Sequence, residues 1–264
     1  MHKLIIDPTG GFAGDMFAAA LINAGADEVY VTKSMQKAAE MIGKASVTHL
    51  LTTDKSSRLL IEIEHHHGHL SSIKAKELLT ELFKISDIPT QYQQLGYDIL
   101  SNLIEAENIA HSTYDFKMDN HHHHHHHDAT EFNQNKKEPK AWLHEAQDIL
   151  IDIMGAVTGL SNLKTPITAK LIAPVSYGGG SISFSHGTVK IPAPATQVMI
   201  DNKNIPVQEG PVNSELFTPT GAAILCALKA NELTEEPKND LYTTGQSRGT
   251  KELPIPPLKI MLYK

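Results

Sequence analysis

Leu4-Ile5-Ile6-Asp7-Pro8-Thr9-Gly10-Gly11-Phe12-Ala13-Gly14-Asp15-Met16 is the stretch on which the fold turns. Three consecutive apolar residues read as a short buried strand, and Asp7 to Gly11 as a turn. From Gly14 to Ala26 the apolar residues Met16, Phe17, Ala20, Leu21 and Ala24 recur at helical spacing. A strand that feeds a glycine-rich turn and opens a helix begins an α/β unit. It is also an anion-binding arrangement, because N–H groups at a helix start favour phosphate and glycines permit close approach. Gly10, Gly11 and Gly14 are therefore candidate ligand-binding residues. The spacing is neither a P-loop nor GxGxxG, so a plain strand–turn–helix with Asp15 helping to cap it is the competing reading. Asp7, ending the strand at the mouth of the turn, is a candidate metal ligand, and Asp15 a candidate catalytic group.

Working outward, the pattern predicts a helix over 32–42, a strand pair over 47–53 and 58–63, and helices over 70–83 and 88–108. Residues 111–140 are nearly all polar and read as a flexible loop. Beyond it come a helix over 141–158, a strand over 167–175 and short strands over 181–184 and 188–191. Pro192-Ala193-Pro194-Ala195-Thr196 and Thr218-Pro219-Thr220-Gly221 each start a helix, and 258–263 is a last strand. The expected fold is α/β, a mixed sheet with flanking helices and a disordered His-rich loop. Its expected parts are 1–110, a loop over 111–140, and 141–264, the first and last able to pack as one domain.

The chain has 264 residues, a formal charge of −7 and 41% hydrophobic residues. That composition excludes a disordered, collagen-like or disulfide-stapled chain. A single cysteine, Cys226, makes neither an internal disulfide nor a Cys-based zinc site. An acidic chain is a poor non-specific binder of nucleic acid or anionic membranes. No run reaches the ~18–20 apolar residues of a spanning helix. With a lone thiol and an N-terminus unlike a signal peptide, cytoplasmic residence is expected.

Histidine is the anomaly, at 16 residues. His65, His66, His67 and His69 cluster after a predicted strand, where neutral imidazoles suit Ni, Cu, Zn or Fe; a solvated loop is the alternative. His121, His122, His123, His124, His125, His126 and His127 form an unbroken run. Such a run suits metal storage or delivery better than catalysis, which needs fixed geometry; a tag or neutral spacer is the plain alternative. On the predicted 141–158 helix, His144, Glu145, Asp148 and Asp152 fall on one face. This set fits a divalent ion, or simply a solvated helix face. Gly178, Gly179 and Gly180 form a candidate ligand loop, followed by His186 as a candidate acid, base or ligand.

Taken in order, these segments resemble the LarC family, the nickel-insertion proteins of nickel-pincer cofactor synthesis. The resemblance rests on Asp7 with Gly11-Phe12-Ala13-Gly14-Asp15-Met16, on His65-His66-His67-Gly68-His69-Leu70, and on His144-Glu145, Asp148 and Asp152-Ile153-Met154-Gly155. It continues through Gly178-Gly179-Gly180, Ser185-His186-Gly187, Pro192 to Thr196 and Thr218 to Ala223. It implies a lyase-class nickel chelatase that loads nickel into pyridinium-3,5-bisthiocarboxylic acid mononucleotide, giving the cofactor of lactate racemase. Nickel becomes held by two sulfurs and a ring carbon. CTP and a divalent metal, usually Mn²⁺, are implied cofactors. The glycines would then hold the mononucleotide, the imidazoles would collect Ni²⁺, and a base such as His186 or Glu145 would take the ring proton.

The chain departs from the family pattern in three ways. Gly10-Gly11 stands where Ser-Gly is usual, and the stretch between Glu145 and Asp148 is about two residues short. Family members also continue into a further domain, so a separate C-terminal half is an expected partner. The competing functional reading is a non-enzymatic His-rich nickel store or metallochaperone.

Overall fold

The computed structural model describes residues 3–63, 69–113, 142–144, 146–184 and 187–264. In chain order the elements are β1 (Lys3–Asp7), α1 (Gly14–Asn23), α2 (Glu28–Glu40), β2 (Ala45–Leu51), β3 (Ser57–Ile63) and β4 (His69–Ser71). Then come α3 (Ser72–Ile85), α4 (Thr90–Thr113), β5 (Trp142–His144), α5 (Ala146–Asn162), β6 (Ala169–Leu171) and β7 (Val175–Ser176). The rest are β8 (Ser181–Phe184), β9 (Gly187–Lys190), α6 (Pro194–Lys203), β10 (Val207–Gln208), α7 (Pro219–Ala227), β11 (Leu241–Ser247) and β12 (Leu258–Tyr263).

The main sheet has the order β2-β3-β11-β12-β1-β6. It is mixed: β1 runs parallel to β6 and antiparallel to β12, while β11 is antiparallel to β12 and parallel to β3. The apolar run at 4–6 is a strand buried on both faces, as its lack of alternation requires. Leu4 and Ile6 join Leu258, Ile260 and Leu262 in the main core, whereas Ile5 joins Met261 and Tyr263 in a small cluster on the opposite face.

α1 lies on β3, β11 and β12 and is covered in turn by α5. Burial on two sides explains its alanines, since Ala18, Ala19 and Ala20 are all fully buried. Two glycines of α5 allow the helices to touch. A Cβ on Gly155 would lie 2.7 Å from the Ala18 methyl, and one on Gly159 would lie 2.8 Å from Leu21. α5 also packs on α2 and α4, and α4 packs on α6 and α7. Side chains cap the helices where a cap is expected: Asp27 accepts from Tyr30 N–H, Ser71 from Lys74 N–H and Thr218 from Gly221 N–H.

The expected α/β class and mixed sheet hold. Four elements differ from expectation. α2 begins at Glu28, because Asp27 caps it, rather than at 32. α4 continues to Thr113, past the expected loop start. The predicted strand over 167–175 divides into β6, paired with β1, and β7, paired with β10. The predicted helix over 141–158 is instead a short strand, β5, followed by α5, so His144 lies on a strand paired with β4. The His-rich stretch lies outside the described residues.

Candidate functional site

The turn after β1 is held by the chain itself. Asp7 Oδ1 accepts from Thr9 N–H at 3.1 Å, Gly11 N–H donates to Pro8, and Phe12 N–H donates to Leu216 at 2.7 Å. A Cβ on Gly10 would lie 1.9 Å from the Pro256 carbonyl oxygen, and Gly11, at φ +91°, faces the Leu216 carbonyl. These two glycines are thus required by neighbouring backbone, and the N–H groups of Gly11 and Phe12 are already used. The N-cap of α1, Ala13, offers no side-chain cap. The Asp15 carboxylate stands in that first turn, where the backbone N–H groups of Asp15 and Met16 favour its charged form. It occupies the position an anionic ligand would seek.

Burial pushes the Asp15 carboxyl up to about 6, against the pull of those two N–H groups. Beside it stands Asp152, in the middle of α5 and only 8% exposed. Desolvation holds Asp152 well above the usual carboxylate range; the negative charges of Asp15 and Asp148 add to this, and the Thr220 hydroxyl opposes it. Thr220 Oγ1 donates to Asp152 Oδ2 at 2.7 Å and lies 3.2 Å from Thr218 Oγ1, which itself accepts from Gly221 N–H at 3.1 Å. A Cβ on Gly14 would fall 2.3 Å from Asp152 Oδ2. Three elements therefore meet through small groups: the first turn of α1, the middle of α5 and the first turn of α7.

Above them opens a cavity of about 210 Å³. Asp15, Thr218, Glu215 and Lys251 give its polar wall, and Met16, Ile182, Leu216, Leu253 and Ile255 its apolar one. Arg248 also lines it, but its charge is largely met: Nε and Nη2 reach Asp54 Oδ2 at 2.7 and 2.6 Å, and Nη1 donates to the Ile255 carbonyl. Lys251 Nζ, at 3.3 Å from Ser214 Oγ, is the more available cation. Neither Arg248 nor Lys251 carried any signal in the sequence beyond its charge.

Gly178 and Gly180 both have positive φ. They accommodate the segment 213–216, since a Cβ on Gly178 would lie 1.8 Å from the Ser214 carbonyl oxygen. The glycines thereby hold Glu215 and Leu216 at the cavity rim. His65, His66, His67, His121 to His127, Glu145 and His186 lie outside the described residues. The backbones of His69 and His144 are opposite each other in the β4–β5 pair. That pairing brings the start of β4, next to the first histidine cluster, against the end of β5. Among the described residues no three His, Cys, Asp or Glu side chains gather in a way that could hold a metal ion. Cys226, pushed up to about 12 by burial, supplies no ready thiolate.

A second constellation looks catalytic and is not. His49 Nε2 lies 2.8 Å from Ser57 Oγ, and His49 Nδ1 lies 3.1 Å from Glu28. Ser57 is fully buried, and Asn23 Nδ2 also donates to its Oγ. With Ser57 buried, the four residues Asn23, Glu28, His49 and Ser57 tie α1, α2, β2 and β3 together.

The family profile described as "Nickel insertion protein" matches residues 4–263. The chain belongs to that nickel insertion family. A relative from Clostridium kluyveri, named pyridinium-3,5-bisthiocarboxylic acid mononucleotide nickel insertion protein, is 28% identical over 97% of this chain and 60% of its own length. A relative named for nickel insertion from Methanothrix thermoacetophila is 30% identical over 98% of this chain and 58% of its own. One from Gloeobacter violaceus is 28% identical over 97% of this chain and 55% of its own. The chain thus spans 55–60% of the length of these curated relatives. No solved structure matches it. Among the described residues no helix is long and apolar enough to cross a membrane.

Proposed function

We propose that the protein takes part in loading nickel into pyridinium-3,5-bisthiocarboxylic acid mononucleotide, the substrate in the printed name of the Clostridium relative. The observation that carries this reading is Asp15, a carboxyl pushed up to about 6 at the wall of a cavity that also offers apolar side chains and a lysine. Replacing a ring hydrogen by nickel breaks a C–H bond. The electron pair forms the carbon–nickel bond, and the proton needs an acceptor whose affinity lies near the working pH. Asp15 has that property. Met16, Leu216 and Ile182 suit the face of the pyridinium ring, and Lys251 suits its phosphate.

The imidazoles at 65–69 and 121–127, with His144 and His186, are proposed as the groups that gather Ni²⁺ and hand it over. Lactate racemase is the proposed consumer of the product. CTP and Mn²⁺ are the proposed cofactors of the reaction. Those cofactors are proposed to act with the length of the relatives that this chain does not span, supplied in the test as a complementary polypeptide.

The test combines the purified chain with that complementary polypeptide, Ni²⁺, CTP, Mn²⁺ and the dithiolated mononucleotide. Formation of a nickel-bearing product by mass spectrometry, with activation of lactate racemase apoprotein, is the expected result. Absence of both rejects the reading. A nickel store remains favoured by the His run alone, and would bind nickel yet leave the mononucleotide unchanged.

A further inference from the structure

Gly249 is a glycine at the cavity that the fold itself does not require. Gly10, Gly11 and Gly14 each stand where a Cβ would strike the protein, at 1.9, 2.3 and 2.3 Å. A Cβ on Gly249 would touch only the Met16 side chain, at 3.5 Å from its sulfur, and its φ is not positive. What it leaves open is the cavity, which it lines together with Arg248, Thr250 and Lys251. Two cations flank it. Lys251 Nζ has three N–H groups, of which the contact with Ser214 Oγ takes one. Arg248 is held through a relay of contacts. Thr52 Oγ1 and Ser56 N–H donate to Asp54 Oδ1 at 2.6 and 3.2 Å, and Asp54 Oδ2 accepts from Arg248 Nε and Nη2. With the bond from Nη1 to Ile255, these contacts take three of the five guanidinium N–H groups, leaving one on each Nη. Meeting the charge of Arg248 does not use up its donors; it aims them. A guanidinium already fixed loses little freedom on binding, and its planar fork matches phosphate oxygens.

We propose that Arg248-Gly249-Thr250-Lys251 is the phosphomonoester subsite of the cavity, with Asp54 as the positioning residue that aims Arg248 and Gly249 keeping the space the phosphate occupies. The proposal rests on the nickel-insertion reading above and gives the mononucleotide a direction. Asp15 and Glu215 also line the cavity and repel a dianion when ionised. The phosphate is therefore accepted where the two cations stand, on the connection between β11 and β12, and the pyridinium ring extends towards Asp15.

The test measures binding to the purified chain by titration calorimetry. Its probes are nicotinate mononucleotide, a pyridinium ribonucleoside 5′-phosphate, the corresponding nucleoside, and CTP. The mononucleotide should bind at least ~10-fold tighter than the nucleoside. Tighter binding of CTP than of the mononucleotide would give the subsite to a nucleoside triphosphate and overturn the assignment. Arg248→Lys keeps the charge and loses the fork, so it should weaken the mononucleotide by ~10-fold and leave the nucleoside unchanged. Gly249→Ala should weaken the mononucleotide by a similar factor. Its thermal midpoint should not fall, because the methyl meets only Met16 and the unfolded chain loses freedom. Asp54→Asn separates aiming from neutralising. It should weaken the mononucleotide by ~3–10-fold although it removes a negative charge. Tighter binding in that variant overturns the positioning role. Equal affinity for mononucleotide and nucleoside, or no binding of either, overturns the subsite, as does wild-type affinity in Arg248→Lys or Gly249→Ala. A subsite that passes these tests in a protein that inserts no nickel overturns the insertion reading alone.

Discussion

At the scale of single residues, Asp15 places function against stability. Its carboxyl is held at about 6 in the fold and at its ordinary 3.8 in the unfolded chain. Between those values the folded state keeps a proton that the unfolded state has lost. The stability associated with this group is therefore complete below pH 3.8 and is lost as pH rises through about 6. Asp15→Asn cannot ionise, so it should unfold at higher urea than wild type at pH 8, by ~1–2 kcal/mol. The rise from 3.8 to about 6 would in full correspond to ~3 kcal/mol, but contact with the cavity lessens it. The gain should fade towards pH 4, while nickel insertion is lost at every pH. A variant less stable than wild type at pH 8 would contradict the assignment of burial as the cause.

At the scale of elements, the contact between α1 and α5 is where the site is made. Gly14 starts α1, and helix propensity alone favours alanine there by ~1 kcal/mol. The structure reverses that preference, because an added methyl would overlap the Asp152 carboxylate and its Cγ, at 2.3 and 2.4 Å. Gly14→Ala should therefore destabilise the fold by ~1–3 kcal/mol in thermal unfolding and reduce insertion at least tenfold. Retained activity would show that Asp152 need not stand beside α1. The same junction marks what the sequence could reveal. β1 and β12 were legible as short apolar runs, α1 by its helical period, and the β2–β3 pair by two apolar-rich segments flanking a polar turn. β11 was not: Gly245 and Ser247 interrupt Leu241–Ser247, the first because α1 sits so close that a Cβ would lie 2.0 Å from the Ala20 carbonyl oxygen. Ser247 is buried because it donates to the Met16 carbonyl at 2.6 Å. Asp15 and Asp152 could each be singled out as carboxylates, but their meeting could not. Treating 141–158 as one amphipathic helix put Asp152 on a face with His144, whereas its surroundings come from α1 and α7, far away in sequence. The TPTG segment signalled a helix start, and nothing local signalled that its second threonine reaches α5.

At the scale of the whole molecule, the proposed function makes gathering nickel and placing it separable tasks. The cavity with Asp15 and Thr218 belongs to the packed α/β body, whose core runs without interruption through α1, α5 and α7. The seven-imidazole run at 121–127 belongs to the stretch of sequence between α4, which ends at Thr113, and β5, which begins at Trp142. A collector raises the local supply of metal, which matters only while free nickel is scarce. Deleting residues 121–127 should therefore lower the number of nickel ions bound in equilibrium dialysis by at least half. The thermal midpoint should move by less than about 2 °C if the run serves only to collect metal. Insertion by the chain with its complementary polypeptide should fall when nickel is limiting and return to the wild-type rate at saturating nickel. Failure to recover at saturation would place these histidines in the transfer step itself and end the division between a collecting segment and a reacting body.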